Sequence, residues 1–310
     1  MRRPKTTSLC HARTPVNRRQ HMSPVLSVVL STAMTMALAA CGSAGFFGKS
    51  DPGALLAVAA REAAGGGLAP YTAQGGGFTL AGFARPGPGQ TLTVYIEGDG
   101  VAWSSRSTPS PDPTPRDPLT LRLAARDPAP KLLYLARPCQ YLAPEQAPGM
   151  CEVSLWTSAR YGPAVVDALG QALDQAKLRL NADRLSLVGY SGGGVLALLL
   201  AARRSDVSDV LTVGANLDIR AWTAHHGVSE LRGSLNPADQ GAALSGVWQT
   251  HLAGRADAVS PPWLCEAFLD RIGRPQRARC LVIEGADHRE GFAALWPELV
   301  EAHRRFIIAR

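Results

Sequence analysis

One segment constrains the fold more than any other, because it joins an apolar strand to an apolar helix through a glycine-rich turn. Residues 184–189 have the length and composition of a buried strand, and 193–203 are apolar on every side. Between them the pattern G-x-S-x-G places Ser191 between Gly189 and Gly193. This spacing predicts a tight strand-to-helix turn that exposes the serine above a sheet. A plain glycine-rich turn is the alternative.

The rest of the chain alternates strand-like and helix-like segments. The predicted strands are 78–84, 92–97, 132–137, 184–189, 210–215, 247–253 and 280–284, and the predicted helices are 163–180, 193–203, 262–272 and 294–308. Such alternation favours a mostly parallel sheet with helices on both faces. We therefore predict one α/β domain over residues 78–310.

The first forty residues have the pattern of an export signal. Residues 25–40 are apolar or small, which is shorter than the roughly 20 residues that a permanent membrane span needs. We predict a cleaved signal peptide over 1–40. Residues 1–41 contain no acidic side chain and six basic ones: Arg2, Arg3, Lys5, Arg13, Arg18 and Arg19.

The end of this signal resembles the lipobox of bacterial lipoproteins. Residues 38–42 read Leu-Ala-Ala-Cys-Gly. The resemblance implies that Cys41 is diacylated, becomes the mature N-terminus and anchors the protein to a membrane. Gly42, in place of an aspartate, implies sorting to the outer membrane of a bacterial cell envelope, facing the periplasm. An ordinary signal-peptidase site with an incidental cysteine is the alternative.

The positive charge of the chain is concentrated in this signal. The whole sequence carries a formal net charge of +7, with an isoelectric point near 9.3. Without residues 1–41, 26 basic residues face 25 acidic ones. A nearly neutral domain lacks the excess of cations that releases counterions from a phosphate backbone. The sequence therefore excludes nucleic acid as a partner.

Four cysteines remain in the predicted mature domain. An even number in an exported protein predicts disulfide bonds, with three possible pairings. Bonds between sequence neighbours would each stabilise the fold by about 3 kcal/mol, and free buried thiols are the alternative. No cysteine or histidine spacing of a zinc site occurs, so no metal is predicted. The four are Cys139, Cys151, Cys265 and Cys280.

Residues 41–77 have the composition of a flexible tether that follows the lipidated cysteine. Two glycine triplets, 65–67 and 75–77, flank an alanine-rich segment over 52–64 that predicts a short helix. Glycine-rich runs usually act as flexible spacers. Neither triplet has the Gly-Lys-Ser/Thr that a phosphate-binding loop requires.

The G-x-S-x-G turn, placed within this alternation, resembles the nucleophile elbow of the α/β-hydrolase superfamily of serine hydrolases. The resemblance implies that Ser191 is the nucleophile, followed along the chain by an acid and then a histidine. It also implies that the backbone N–H of Gly192 binds the oxyanion. No cofactor and no metal are implied.

The histidine and the acid follow from their positions. His288 lies in the loop after the last predicted strand, where the superfamily keeps its histidine. Asp257 follows a strand, a glycine and a short loop, and precedes a helix that begins with proline. A carboxylate there would fix the histidine tautomer. Asp218, after the preceding strand, is the alternative acid.

A second oxyanion donor is expected in the loop that follows the strand 92–97. By position in the superfamily this is the backbone N–H of Asp99, with Gly100 as the alternative. Glu97 stands where the superfamily commonly has histidine, which is a departure from its pattern.

These residues together predict an envelope-anchored serine hydrolase that cleaves a carboxylic ester in a small-molecule or lipid-like acyl substrate. Trp103, Tyr190 and Trp222 are candidates to line its acyl pocket. The same triad would also serve a peptidase, a thioesterase or an acyltransferase. A non-catalytic envelope lipoprotein that keeps the fold for binding is the alternative from another class.

Overall fold

The structure, a computed structural model, describes residues 51–142 and 149–309. The predicted signal peptide and the predicted lipidation site Cys41 lie outside these ranges. No helix within them combines the length and the apolarity needed to cross a bilayer.

Eight strands and eight helices make up the described part of the chain. The strands are β1 Ala69–Gly75, β2 Phe78–Arg85, β3 Thr91–Ile96, β4 Leu132–Leu135, β5 Arg184–Tyr190, β6 Val207–Val213, β7 Trp248–Gly254 and β8 Ala278–Ile283. The helices are α1 Pro52–Gly65, α2 Leu119–Arg126, α3 Pro163–Arg179, α4 Gly192–Ala201, α5 Ile219–His226, α6 Gly241–Leu244, α7 Pro262–Arg271 and α8 Trp296–Ile308.

The strands form one sheet in the order β1-β2-β4-β3-β5-β6-β7-β8. The neighbours from β4 to β8 in this order pair in parallel, whereas β1 and β2 pair antiparallel at one edge. The last residue of β3, Ile96, pairs with Gly189 of β5, which in turn pairs with Thr212 of β6. The carboxyl ends of the central strands therefore meet at one edge of the sheet.

Both faces of the central strands are buried, which explains why these strands are largely apolar, whereas β1 at one edge alternates between buried and exposed residues. One core lies between the sheet and helices α3, α4 and α7, and the other between the sheet and helices α1, α2 and α8. In β3, Leu92 and Val94 belong to the first core and Tyr95 to the second. The predicted fold class, a mostly parallel sheet with helices on both faces, is confirmed.

The predicted tether over 41–77 is wrong for residues 52–75, which belong to the folded domain, although the short helix predicted over 52–64 is present as α1. Helix α1 packs against α2 and buries Ala59 and Ala63 in the second core. Strand β1 pairs along its whole length with β2, from Ala69 opposite Ala84 to Gly75 opposite Phe78.

The two glycine triplets have conformational roles in this segment. Gly67, at φ +72°, ends α1, and the next residue, Leu68, donates its N–H back to Ala63 O at 2.9 Å. Gly76 and Gly77, at φ +58° and +83°, form a two-residue hairpin between β1 and β2. The type I′ turn of such a hairpin requires positive φ at both central residues. The first glycine triplet therefore ends helix α1, and the second forms the hairpin turn between β1 and β2.

Both disulfide bonds join sequence neighbours, Cys139 with Cys151 and Cys265 with Cys280. The second bond ties α7 to β8. The structure thus selects one of the three pairings that the sequence left open.

Substitution of Gly75 tests whether the hairpin is part of the fold. A β-carbon at Gly75 would overlap the carbonyl oxygen of Ala168 in α3. We expect Gly75→Ala to lower the free energy of unfolding by about 1–3 kcal/mol, because the packed helix cannot move freely. Urea unfolding of the purified protein measures the change.

Gly65→Ala is the matched control, because a β-carbon there meets no atom within 4 Å. At the end of α1 this substitution should leave the stability unchanged or raise it by up to about 1 kcal/mol. Equal stability of the two variants would contradict the packing of residues 52–75 against the domain. The prediction of a flexible tether would then stand.

Candidate active site

The turn after β5 holds Ser191 in a strained conformation, at φ +50° and ψ −120°. Its N–H donates to Val213 O of the neighbouring strand at 2.8 Å. A β-carbon at Gly189 would overlap the backbone of Gly193, and one at Gly193 would overlap Ile96 O. Only glycine fits at these two positions, so the sequence pattern reflects close backbone contacts on both sides of the serine.

Asp257 and His288 are joined by a hydrogen bond of 2.9 Å between Oδ2 and Nδ1. The carboxylate is fully buried, and its other oxygen accepts the N–H groups of Val259 at 2.8 Å and Ser260 at 2.7 Å. These backbone donors hold the carboxylate in place. With Nδ1 bound to Asp257, Nε2 is the ring nitrogen left to act on a substrate.

Ser191 and His288 both line one cavity of about 780 Å³. In the described residues no hydrogen bond joins the Ser191 hydroxyl to His288. In unliganded active sites such bonds are often long and shorten when substrate binds. The two side chains are therefore placed for joint action on a molecule in the cavity.

The alternative acid, Asp218, lies at the start of α5. Its Oδ1 accepts the N–H groups of Arg220 at 3.0 Å and Ala221 at 3.3 Å, and the amide of Asn236 at 2.9 Å. These are the contacts of a helix N-cap. The structure brings Asp257, and not Asp218, to the histidine.

Aromatic side chains line the cavity on several sides. Trp103, Tyr190 and Trp222 all contribute to its wall, as the sequence predicts. The Tyr190 ring lies against His288, with ring centroids 5.2 Å apart. Together the three aromatic side chains give the cavity apolar surfaces in addition to the polar groups of Ser191 and His288.

The loop that carries Asp257 is held from outside by two side chains of α5. The indole N–H of Trp222 donates to Val259 O at 2.7 Å, and His226 Nε2 lies 2.8 Å from the same oxygen. The sequence suggests only a solvated histidine pair at 225–226. The contact could not be read from the sequence because α5 and the acid loop are more than thirty residues apart.

The predicted oxyanion donors lie at the expected strand ends. Asp99 follows β3 and lines the cavity, and Gly192 begins α4 directly after Ser191. The described part of the chain offers no protein acceptor to the backbone N–H of either residue. Neither N–H is used in the hydrogen bonds of the described fold, so both remain candidate donors for the oxyanion site.

The side chain of Asp99 forms a buried ion cluster that the sequence did not reveal. Its carboxylate accepts from Arg137, from Arg160 Nη1 at 2.9 Å and from the Tyr161 hydroxyl at 2.8 Å. Burial opposes ionisation of this carboxyl, but the charges of Arg160 and Arg137 outweigh it and lower the pKa of Asp99 below its ordinary value. Asp99 is thus ionised and paired.

Glu97, where the superfamily commonly has histidine, is buried without a cation. Its Oε1 accepts from Thr120 Oγ1 at 2.7 Å and from the Gly98 N–H at 2.8 Å, and its Oε2 accepts from the Tyr134 hydroxyl at 2.8 Å. Burial raises the pKa of Glu97, although these three donors oppose the shift. Through Thr120 and Tyr134, Glu97 connects the loop after β3, which carries Asp99, to α2 and β4.

No group of three or more metal-ligating side chains occurs within residues 51–142 and 149–309.

No protein-family model and no curated protein matches the chain. Solved structures, in contrast, match the chain. An esterase of Pyrococcus furiosus is 11% identical, with 78% of this chain and 90% of that chain covered and a TM-score of 0.53. A proline iminopeptidase of Mycobacterium smegmatis is 13% identical, with coverage of 78% and 99% and a TM-score of 0.54.

An α/β-hydrolase candidate from Agrobacterium tumefaciens is also 13% identical, with coverage of 78% and 98% and a TM-score of 0.53. Similarity at these identities establishes the fold and leaves activity open. The chain has the α/β-hydrolase fold.

Glu97 predicts a pH dependence of stability. A carboxyl whose pKa is higher in the folded than in the unfolded chain binds more protons when folded, so stability falls as pH rises from about 4.5, its unfolded value, through the folded pKa. Glu97→Gln should remove this decline. Urea unfolding of both proteins between pH 4 and pH 7 measures it. Parallel pH curves for the two proteins would contradict the assignment.

Proposed function

We propose that this protein is a serine hydrolase that cleaves carboxylic esters through an acyl-enzyme. One observation carries the proposal: the Asp257–His288 hydrogen bond lies at the cavity that Ser191 lines from its strained turn. A histidine oriented by a buried carboxylate, at the same cavity as a serine, is the arrangement that activates a hydroxyl group as a nucleophile.

The reaction follows from the roles of these groups. Ser191 Oγ attacks the ester carbonyl carbon while His288 Nε2 accepts the hydroxyl proton, and Asp257 stabilises the charged ring. The N–H groups of Gly192 and Asp99 bind the carbonyl oxygen as it becomes negative. His288 then returns the proton to the departing alkoxide, which leaves as the alcohol. Water, activated by the same histidine, releases the acid and restores Ser191.

Ester substrates are the proposed class, because the aromatic side chains in the wall of the cavity favour an apolar acyl or alcohol group. Fold neighbours include both an esterase and an iminopeptidase, so the neighbours alone do not choose between these leaving groups. A small-molecule or lipid-like ester is the proposed substrate class.

We further propose that Cys41 is diacylated and anchors this enzyme to the bacterial envelope, facing the periplasm. The lipobox-like residues 38–42 support this proposal. The two disulfide bonds agree with an oxidising compartment.

A fluorophosphonate probe tests the hydrolase proposal, because it reacts only with an activated serine. The purified protein should be labelled, and Ser191→Ala should not be labelled at all. Asp257→Ala should lower the hydrolysis rate of 4-nitrophenyl butyrate by about 10⁴-fold, since the histidine loses the partner that fixes its tautomer.

Asp218→Ala is the control for the acid. It removes a helix cap, so it should cost about 1 kcal/mol of stability while the hydrolysis rate stays close to that of the unchanged protein. A folded protein that neither reacts with the probe nor hydrolyses esters would refute the hydrolase proposal. Loss of activity in Asp218→Ala instead of Asp257→Ala would refute the assigned acid.

Metabolic labelling with an alkyne analogue of palmitate tests the anchor. In a bacterial host the unchanged protein should take up the label and fractionate with membranes, because Cys41 receives the lipid. Cys41→Ser should take up none. Equal labelling of both proteins, or recovery of the unchanged protein without lipid, would exclude Cys41 as the anchor.

A further inference from the structure

The ion cluster of Asp99, Arg137, Arg160 and Tyr161 lies beside the proposed oxyanion site, and Asp99 and Arg160 also line the cavity. A β-carbon at Gly192 would overlap Asp99 Oδ1 and would lie 2.8 Å from the Tyr161 hydroxyl oxygen. The carboxylate and the phenol therefore contact the α-carbon of Gly192, the residue whose N–H is the proposed donor. Glycine is the one residue that allows this approach.

A carboxylate at this place raises an electrostatic problem. Negative charge develops on the substrate oxygen during attack, and an unpaired anion nearby would repel it in a site of low dielectric constant. Arg137 and Arg160 neutralise Asp99, and both side chains are almost fully buried, with 4% and 8% exposure. The three charged groups together carry one net positive charge, which favours the developing oxyanion.

The cluster is also rigidly held. Arg137 bridges the Asp99 carboxylate and the backbone oxygen of Arg160, the latter at 2.6 Å. Arg160 Nε donates to Thr157 O at 2.8 Å. The Tyr161 ring lies under both guanidinium groups, with centroid distances of 5.4 Å and 5.8 Å. The loop after β3 is thus fixed to the segments that follow β4 and precede α3.

We infer that Arg137, Arg160 and Tyr161 are positioning residues for the oxyanion site. Acting through the Asp99 side chain, they hold the backbone N–H groups of Asp99 and Gly192 in the arrangement that the transition state needs. They also cancel the carboxylate charge behind it. This inference rests on the proposed hydrolase function. It adds the residues that hold the oxyanion donors in place for binding of the transition state.

Steady-state kinetics with 4-nitrophenyl butyrate tests the inference in the full-length protein. Arg137→Lys keeps the charge but cannot bridge Asp99 and Arg160 as a guanidinium does. We expect kcat to fall about tenfold with KM changed less than twofold, as for an interaction used only in the transition state. Tyr161→Phe, which removes one hydroxyl group, should lower kcat by about threefold with KM unchanged.

Inhibition by phenylboronic acid gives a second readout. The boronate forms a tetrahedral adduct with the serine and places an oxygen in the oxyanion site, so its inhibition constant should rise by about the same factor as kcat falls. Arg204→Lys is the control, because Arg204 forms a partly buried cluster with Asp174 and Asp206 away from the cavity. It should leave kcat, KM and boronate inhibition unchanged.

Each outcome decides the inference. A rise in KM with constant kcat would show that the cluster binds substrate uniformly, which overturns it. A lower unfolding midpoint with unchanged kcat would show a purely structural role, which also overturns it. An equal fall of kcat in Arg204→Lys would show that the loss of any ion pair lowers activity, which also overturns the inference. An unchanged protein that neither labels nor turns over would refute the proposed function, and the inference with it.

Discussion

The close contact between the start of α4 and the ends of strands β3 and β5 is the constraint on which the site depends. It forces Ser191 to positive φ, a conformation that costs on the order of 1–3 kcal/mol for a residue other than glycine. The strain persists because all ten residues of α4 are buried, so the helix cannot relax away from the sheet.

The carboxylates at this edge of the sheet are satisfied in three different ways. Asp257 is held by backbone N–H groups and a histidine, Asp99 by two guanidinium groups and a phenol, and Glu97 by neutral donors alone. The difference explains why the pKa of Asp99 is lowered and that of Glu97 is raised, although Glu97 is buried and the Asp99 side chain is only 16% exposed. The charge of the site therefore depends on which partners each carboxylate has.

Local patterns in the sequence predict the sheet and the elbow well. Both have local signatures in the sequence: apolar segments of strand length for the sheet, and the glycines on either side of Ser191 for the elbow. The same local reasoning misread the glycine triplets, because a helix end, a hairpin and a flexible spacer all favour glycine. The pairing of β1 with β2 distinguishes the hairpin from a flexible spacer, and this pairing cannot be predicted from composition alone.

The ion cluster lies beyond sequence reasoning for a different reason. Arg137, Arg160 and Tyr161 are 38, 61 and 62 residues from Asp99, and no short spacing connects them. Their segments have no periodic pattern that would predict a common location. The choice of Asp257 over Asp218 could be made from loop context, whereas the capping contacts of Asp218 became visible only in three dimensions.

Docking of residues 52–75 in the fold also limits how far the domain can lie from its proposed anchor. Only nine residues, 42–50, separate Cys41 from Asp51, the cap of α1. Fully extended, they span about 30 Å, which is close to the thickness of a bilayer core. On the proposed lipid anchor, the domain would remain within roughly its own diameter of the membrane surface, and would meet substrates that gather there before those dissolved farther away.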